Sequence, residues 1–209
     1  MAKRQVPIQE FFLIKMNPVI RYLIIADIVG YGAAGLLGPI FAIFVVDFIQ
    51  GGSVEVAGVA AGIYLLTKSI FQIPAAAIVD KICGDRDDFW FLVGGMTVVS
   101  LIPLAYLFVD TPLQLYIAQF VLGAATAFTF PSFMALFTRY IEKNKEGTVW
   151  GVYFTLVDVS SAATAAIGGV LAATIGFENV IIGVTVIGLI GTALYLPVGS
   201  ALRRTPPCN

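Results

Sequence analysis

The sequence predicts an all-α membrane protein with six transmembrane helices. Of its 209 residues, 59% are hydrophobic and only 12% charged, whereas soluble domains carry about a quarter charged. The mean hydropathy is +0.94. The apolar residues also fall into six runs, each long enough to cross about 30 Å of hydrocarbon as a helix. Because lipid offers backbone groups no hydrogen-bond partner, open strands are excluded and a helical bundle follows.

The first run, Val19–Phe48, follows an arm containing Lys3 and Arg4. It is longer than a signal-peptide core and has no small-x-small cleavage site before the next polar segment, so it is expected to remain as an anchor. Gln50-Gly51-Gly52-Ser53 ends it before the second run, Val54–Val79. The charged stretch Asp80 through Asp88 precedes the third, Phe89–Val109, and Asp110-Thr111-Pro112 precedes the fourth, Leu113–Tyr140. Glu142 through Gly147 leads into the fifth, Val149–Ile175, and Gly176-Phe177-Glu178-Asn179 into the sixth, Val180–Val198. The expected organisation is an arm over residues 1–18, a transmembrane domain over 19–198 and a tail over 199–209.

Charge placement predicts the orientation. With the N-terminus in the cytoplasm, the inner segments hold Lys3, Arg4, Lys15, Arg21, Lys81, Arg86, Arg139, Lys143, Lys145, Arg203 and Arg204, all but one of the 12 basic residues. The opposite loops hold Asp47, Glu55, Asp110 and Glu178 and no Lys or Arg. The positive-inside rule therefore puts both termini in the cytoplasm, as expected of a multi-pass protein of a prokaryotic inner membrane. Cys83 and Cys208 both fall on that reducing side with no metal-site spacing, and they read as free thiols.

Composition also narrows function. There is no histidine, which excludes histidine-ligated metals and haem, Ser/His and Cys/His hydrolases and histidine proton relays. No length is left for a soluble catalytic domain, so no enzyme, no cofactor, no metal and no nucleic-acid partner are expected. The carboxylates lack a G-x-G-D setting for aspartyl proteolysis, and no filter-like loop suggests a channel.

Lys68 lies inside the second run, Asp27 inside the first and Asp158 inside the fifth. Each charge at mid-membrane costs about 2.5–3.5 kcal/mol on insertion scales, so such residues face a cavity or one another. They serve either a solute or ion pathway or a fixed lock between helices; loss of transport with assembly unchanged distinguishes the first. Further polar residues recur at helical spacing: Tyr31 beside Asp27, Tyr64 and Gln72 either side of Lys68, and Gln119 with Thr126 on the fourth span. This is the pattern of a water-facing stripe or of bonds between helices.

Ala76-Ala77-Ile78-Val79-Asp80-Lys81-Ile82-Cys83-Gly84-Asp85-Arg86 resembles the G-x-x-x-D-R-x-G-R signature of the major facilitator superfamily. Asp80 and Lys81 match its acidic and basic positions, Gly84 and Arg86 match after a one-residue slip, and Asp87-Asp88 replace its basic end. The stretch Glu142 through Gly151 is similar to the family's entry to helix five, and Gly176 through Val180 to its entry to helix six. Two departures stand out. Gln119 through Gly123 occupies the place of R-x-x-x-G in proton-coupled members, and Ser160 through Gly169 keeps only the closing glycine pair of the antiporter motif G-x-x-x-G-P-x-x-G-G.

The resemblance implies one six-helix half of a two-half transporter, built of 3+3 inverted repeats. Gly35-x-x-x-Pro39-Ile40-Phe41 parallels Ala127-x-x-x-Pro131-Ser132-Phe133 across those repeats. It implies helices one and four along the cavity, two and five between halves, three and six toward lipid, and a cytoplasmic gating loop at Asp80, Lys81, Gly84 and Arg86. Family halves are parallel repeats about an axis along the membrane normal, a geometry that a parallel homodimer restores.

The expected function is secondary active transport of a small solute by alternating access, with proton coupling as an open element. The alternative is a non-transporting subunit that needs a different partner chain. Lys68 and Asp158 lie about 16–18 Å above the inner boundary, so Lys68 of one subunit is expected to face Asp158 of the other as a gate. Asp27, about 9 Å inside the boundary, suits a desolvated proton-loading site. Substrate identity is not legible; two carboxylates, one lysine and many aromatics tilt it toward cations, protons or amphipathic solutes.

Overall fold

The structure, a computed structural model, describes residues 13, 16–82 and 84–202. Lys3, Arg4 and Lys15 of the arm, Cys83, and Arg203, Arg204 and Cys208 of the tail lie outside the described residues.

Eight α-helices form six spans among the described residues, and no strand occurs among them. Span one is α1 (Pro18–Leu37) and α2 (Phe41–Phe48), joined by a 3-10 turn at Gly38–Ile40 where Pro39 removes a backbone donor. Asn17 caps α1 by accepting from the Val19 N–H at 2.9 Å, with Pro18 in the first helical position, where its missing N–H costs nothing. Span two is α3 (Val54–Lys81), capped by Ser53, whose hydroxyl accepts from the Val56 N–H at 3.3 Å. Span three is α4 (Asp85–Ala105), which tightens into a 3-10 turn at Tyr106–Phe108 just after Pro103. Span four is α5 (Pro112–Tyr140), where Gln114 accepts from the Thr111 N–H at 3.1 Å. Span five is α6 (Glu146–Ile175), and span six is α7 (Phe177–Ala193) followed by α8 (Leu196–Ala201).

One boundary differs materially from the sequence expectation. The stretch Asp80 through Asp88 is not a loop: α3 runs to Lys81 and α4 starts at Asp85, so only residues 82–84 connect them. Asp85, Asp87 and Asp88 occupy the first turn of α4, where carboxylates complement the free N–H groups and the positive helix end.

Packing pairs α3 with α5, α1 with α6, α4 with α5 and α1 with α7, while α4 and α7 meet directly; α1 and α5 touch only sparsely. One apolar cluster, including Phe44, Ile49, Leu115 and Phe177, fills the end carrying the 49–53 and 109–111 turns. A second, including Ile20, Leu92, Phe137 and Val198, fills the end carrying the chain termini. The polar groups of interest lie between them.

Lipid removes most of the hydrophobic drive for helix association, so close packing and interhelical hydrogen bonds hold such bundles. The α1–α6 crossing shows both. Ser160 donates to the Ile28 carbonyl at 2.8 Å, and Ser161 to that of Tyr31 at 3.3 Å. A Cβ on Gly168 would sit 2.3 Å from the Leu36 carbonyl oxygen, whereas one on Gly169 would meet nothing within 4 Å. Gly168→Ala is therefore expected to cost about 1–3 kcal/mol of overpacking, and Gly169→Ala close to none. Thermal unfolding of the two variants in mild detergent checks the contrast; equal melting temperatures would show the crossing to be compliant.

Candidate functional site

Asp27 is 3% exposed at the centre of the bundle. The Tyr153 hydroxyl on α6 donates to its Oδ2 at 2.7 Å, and the Tyr195 hydroxyl, between α7 and α8, donates to Oδ1. Both carboxylate oxygens are thus satisfied by uncharged donors, the condition under which a buried acid can be kept in a low-dielectric interior. Beside them is a void of about 30 Å³ that Tyr31, Thr126 and Thr129 also line. Of the residues singled out in the sequence, Asp27, Tyr31 and Thr126 line this one void; the two tyrosine donors were not among them. Their only sequence trace is a tyrosine in each of two apolar spans.

A recess of about 240 Å³ opens between α1, α5 and α6. Tyr31, Phe130, Phe133, Trp150 and Phe154 form its walls, and Asp158 stands exposed on its rim. Tyr31, Phe130, Phe133 and Tyr153 line both this recess and the Asp27 void, so the two spaces share a wall. From α3, Lys68 places its ammonium over the Phe130 ring, 5.1 Å from the centroid, within cation–π range. Neither Lys68 nor Asp158 makes an ion pair among the described residues. Gln72 is half-buried one turn further along α3.

A larger cavity of about 440 Å³ lies nearer the 49–53 end, among α1, α3, α4, α5 and α7. Tyr64 and Gln119 both line it, and the Gln119 amide donates to the Tyr106 hydroxyl at 3.0 Å. Most of its other walls are apolar, including Leu37, Phe41, Val99 and Val184, with Ser100 among the exceptions. Thr126 spends its hydroxyl on the Leu122 carbonyl of its own helix at 2.7 Å.

At the end carrying the termini, Asp80, Lys81 and Arg86 are exposed and Gly84 is half-buried ahead of α4. The dense charge cluster forms beside them. Arg139 of α5 donates to Asp85 at 3.0 Å and to Asp88 at 2.5 Å, and Tyr140 donates to Asp85 at 2.7 Å. The Asp88 side chain is 1% exposed, and its Oδ1 is buried without a partner. Sequence reasoning named Arg139 only as an inner basic residue and missed this tie between α4 and α5.

A family model described as Major Facilitator Superfamily matches residues 23–207, nearly the whole chain. The chain belongs to the major facilitator superfamily. Similar superfamily members include the "Multidrug resistance protein MdtG" of Enterobacter lignolyticus (strain SCF1), 26% identical over 92% of this chain and 45% of that protein. The protein of the same description from Yersinia enterocolitica serotype O:8 is 28% identical over 90% of this chain and 44% of its own length. A "Quinolone resistance transporter" of Acinetobacter baumannii is 26% identical over 58% of this chain and 27% of that one. The chain thus spans half or less of the length of these curated relatives. Among solved structures, the POT family transporter PepTSo superposes with a TM-score of 0.76 at 14% identity, over 93% of this chain and 40% of that one, which shows the superfamily fold.

Proposed function

We propose that the chain works as one half of a secondary transporter for a small solute. In this reading, two copies lying parallel in the inner membrane, termini in the cytoplasm, complete the path and alternate access across it. The observation that carries the proposal is the state of α3 and α6. Their spans are the least covered of the six, 17% and 11% buried against 22% to 44% for the others. Each also carries a mid-span charge, Lys68 and Asp158, with no ionic partner among the described residues. Lys68 lies 13 residues from Lys81 and Asp158 lies 12 from Glu146, so both stand about 18–20 Å above the same end. In a parallel two-fold dimer they are placed to pair twice, as gates.

The helix pairing supports the 3+3 inverted repeat. Exchanging the first three spans with the last three maps the α3–α5 contact onto α6–α1, α4–α5 onto α7–α1, and α4–α7 onto itself. The charge bias supports the orientation. The relatives' greater length favours a second reading, in which a different segment or chain supplies the other half.

The test is the protein mass of the purified chain in mild detergent, with the detergent contribution subtracted, followed by uptake into liposomes. Twice 22.3 kDa with uptake is expected; 22.3 kDa without uptake would leave the second reading. Proton exchange at Asp27 is the proposed coupling step, because Asp27 is the acid that shares a wall with the recess. Asp27→Asn is expected to abolish the pH dependence of uptake while leaving the protein folded, since an amide can still bond both tyrosine hydroxyls. Uptake by Asp27→Asn with the full pH response would remove Asp27 from coupling.

A further inference from the structure

Lys68 and the aromatic recess meet on one ring. Phe130 is a wall of the recess and at the same time the platform for the Lys68 ammonium, 5.1 Å from its centroid. A recess walled by Tyr31, Phe130, Phe133, Trp150 and Phe154 with a carboxylate on its rim is complementary to a flat or globular aromatic cation. The ring faces offer negative quadrupole, Asp158 offers the counter-charge, and the apolar walls take the hydrophobic body. A volume of about 240 Å³ suits a small molecule or one lobe of a larger one.

We propose that Lys68 is a tethered cation that competes with a cationic aromatic solute for this recess and so sets its charge selectivity. The inference rests on the reading that this face lines the solute path, and it deepens that reading. With Lys68 in place, a π face of Phe130 is already engaged and a unit positive charge stands 5.1 Å from the centre of a ring that walls the recess. A second cation must displace that ammonium or bear its repulsion, whereas a neutral aromatic solute meets no such charge. The same competition links binding to motion. A solute cation that takes Asp158 removes the group that Lys68 of the other half would pair with, so occupation of the recess and opening of the gate become one event.

The test is equilibrium dialysis of radiolabelled tetraphenylphosphonium against the purified full chain in detergent, with triphenylphosphine oxide as a neutral probe of similar shape. Lys68→Gln is expected to tighten the dissociation constant for the cation about tenfold and to shift the neutral probe less than about twofold. Lys68→Met should give the same gain through a different side chain, and Asp158→Asn should weaken cation binding about tenfold. Unchanged or weaker cation binding in both lysine variants would overturn the proposal, as would an equal gain for the neutral probe, which would make Lys68 a steric plug. The measurement needs neither dimer nor transport. Competition intact in a chain that fails to catalyse uptake alone would remove the homodimer reading and leave the charge selectivity of the recess standing.

Discussion

Lys68→Asp and Asp158→Lys each abolish uptake into liposomes, and the double substitution restores it: this is the result expected if the two residues meet across a two-fold interface. Each single exchange replaces an opposed pair by like charges at mid-membrane. With an effective dielectric of about 20, unit charges about 4 Å apart interact by about 4 kcal/mol. Turning that attraction into repulsion at two symmetric sites exceeds the few kcal/mol separating the states of a typical alternating machine. A loss of initial rate of at least about 100-fold is expected for the singles, with recovery to within about tenfold in the double. Mass in detergent, measured alongside, separates failed gating from failed assembly. Active singles with an inactive double would exclude the pairing. The rescue is specific to the interface, because within one bundle Lys68 rests on Phe130 and no carboxylate among the described residues holds it.

Arg139→Ala is expected to be the most destabilising single change at the end of the bundle carrying the termini. It would leave Asp85 and Asp88, side chains 5% and 1% exposed, as two neighbouring buried carboxylates without a cation. Breaking a buried ion pair from one side costs about 3–5 kcal/mol. The Arg139 side chain is 41% exposed, and solvent screening of that side puts the expectation at about 3 kcal/mol. Tyr140 continues to donate to Asp85, so the loss should centre on Asp88. Adding Asp88→Asn to Arg139→Ala should recover more stability than adding Asp85→Asn. Thermal unfolding of the three variants measures the order, and equal recovery would show the two carboxylates to be interchangeable.

The spans were legible because a bilayer demands long apolar runs, and all six lie within a few residues of where hydropathy places them. The stretch Asp80 through Asp88 was misread because charge density suggests a loop, whereas a helix N-terminus recruits carboxylates, and here Asp85 and Asp88 are buried against Arg139. The intramembrane charges were visible singly as exceptions to the apolar rule. Their partners were not: Tyr153 and Tyr195 reach Asp27 across 126 and 168 residues. Helices that are apolar on nearly every face have no strong amphipathic signal to fix their rotation, so periodicity does not say which tyrosine points inward. Gln119 shows the same limit. Its departure from the basic residue common in coupled members was readable, but its bond to Tyr106 depends on how α5 leans on the 3-10 turn after α4.

The Asp27 arrangement also bears on how the chain is made. Synthesis delivers Asp27 with the first span, while Tyr153 follows with the fifth and Tyr195 near the end of the sixth. Until then the acid lacks at least one of its two hydroxyl donors while lying about 9 Å inside the boundary, where a buried charge is costly. The span that carries Asp27 is thus secured only after a tyrosine 168 residues later has been made, and a nascent chain stopped before residue 195 would hold it on incomplete terms. Quality control acting on stalled intermediates would find its signal there, in an exposed acid waiting for a tyrosine far later in the sequence.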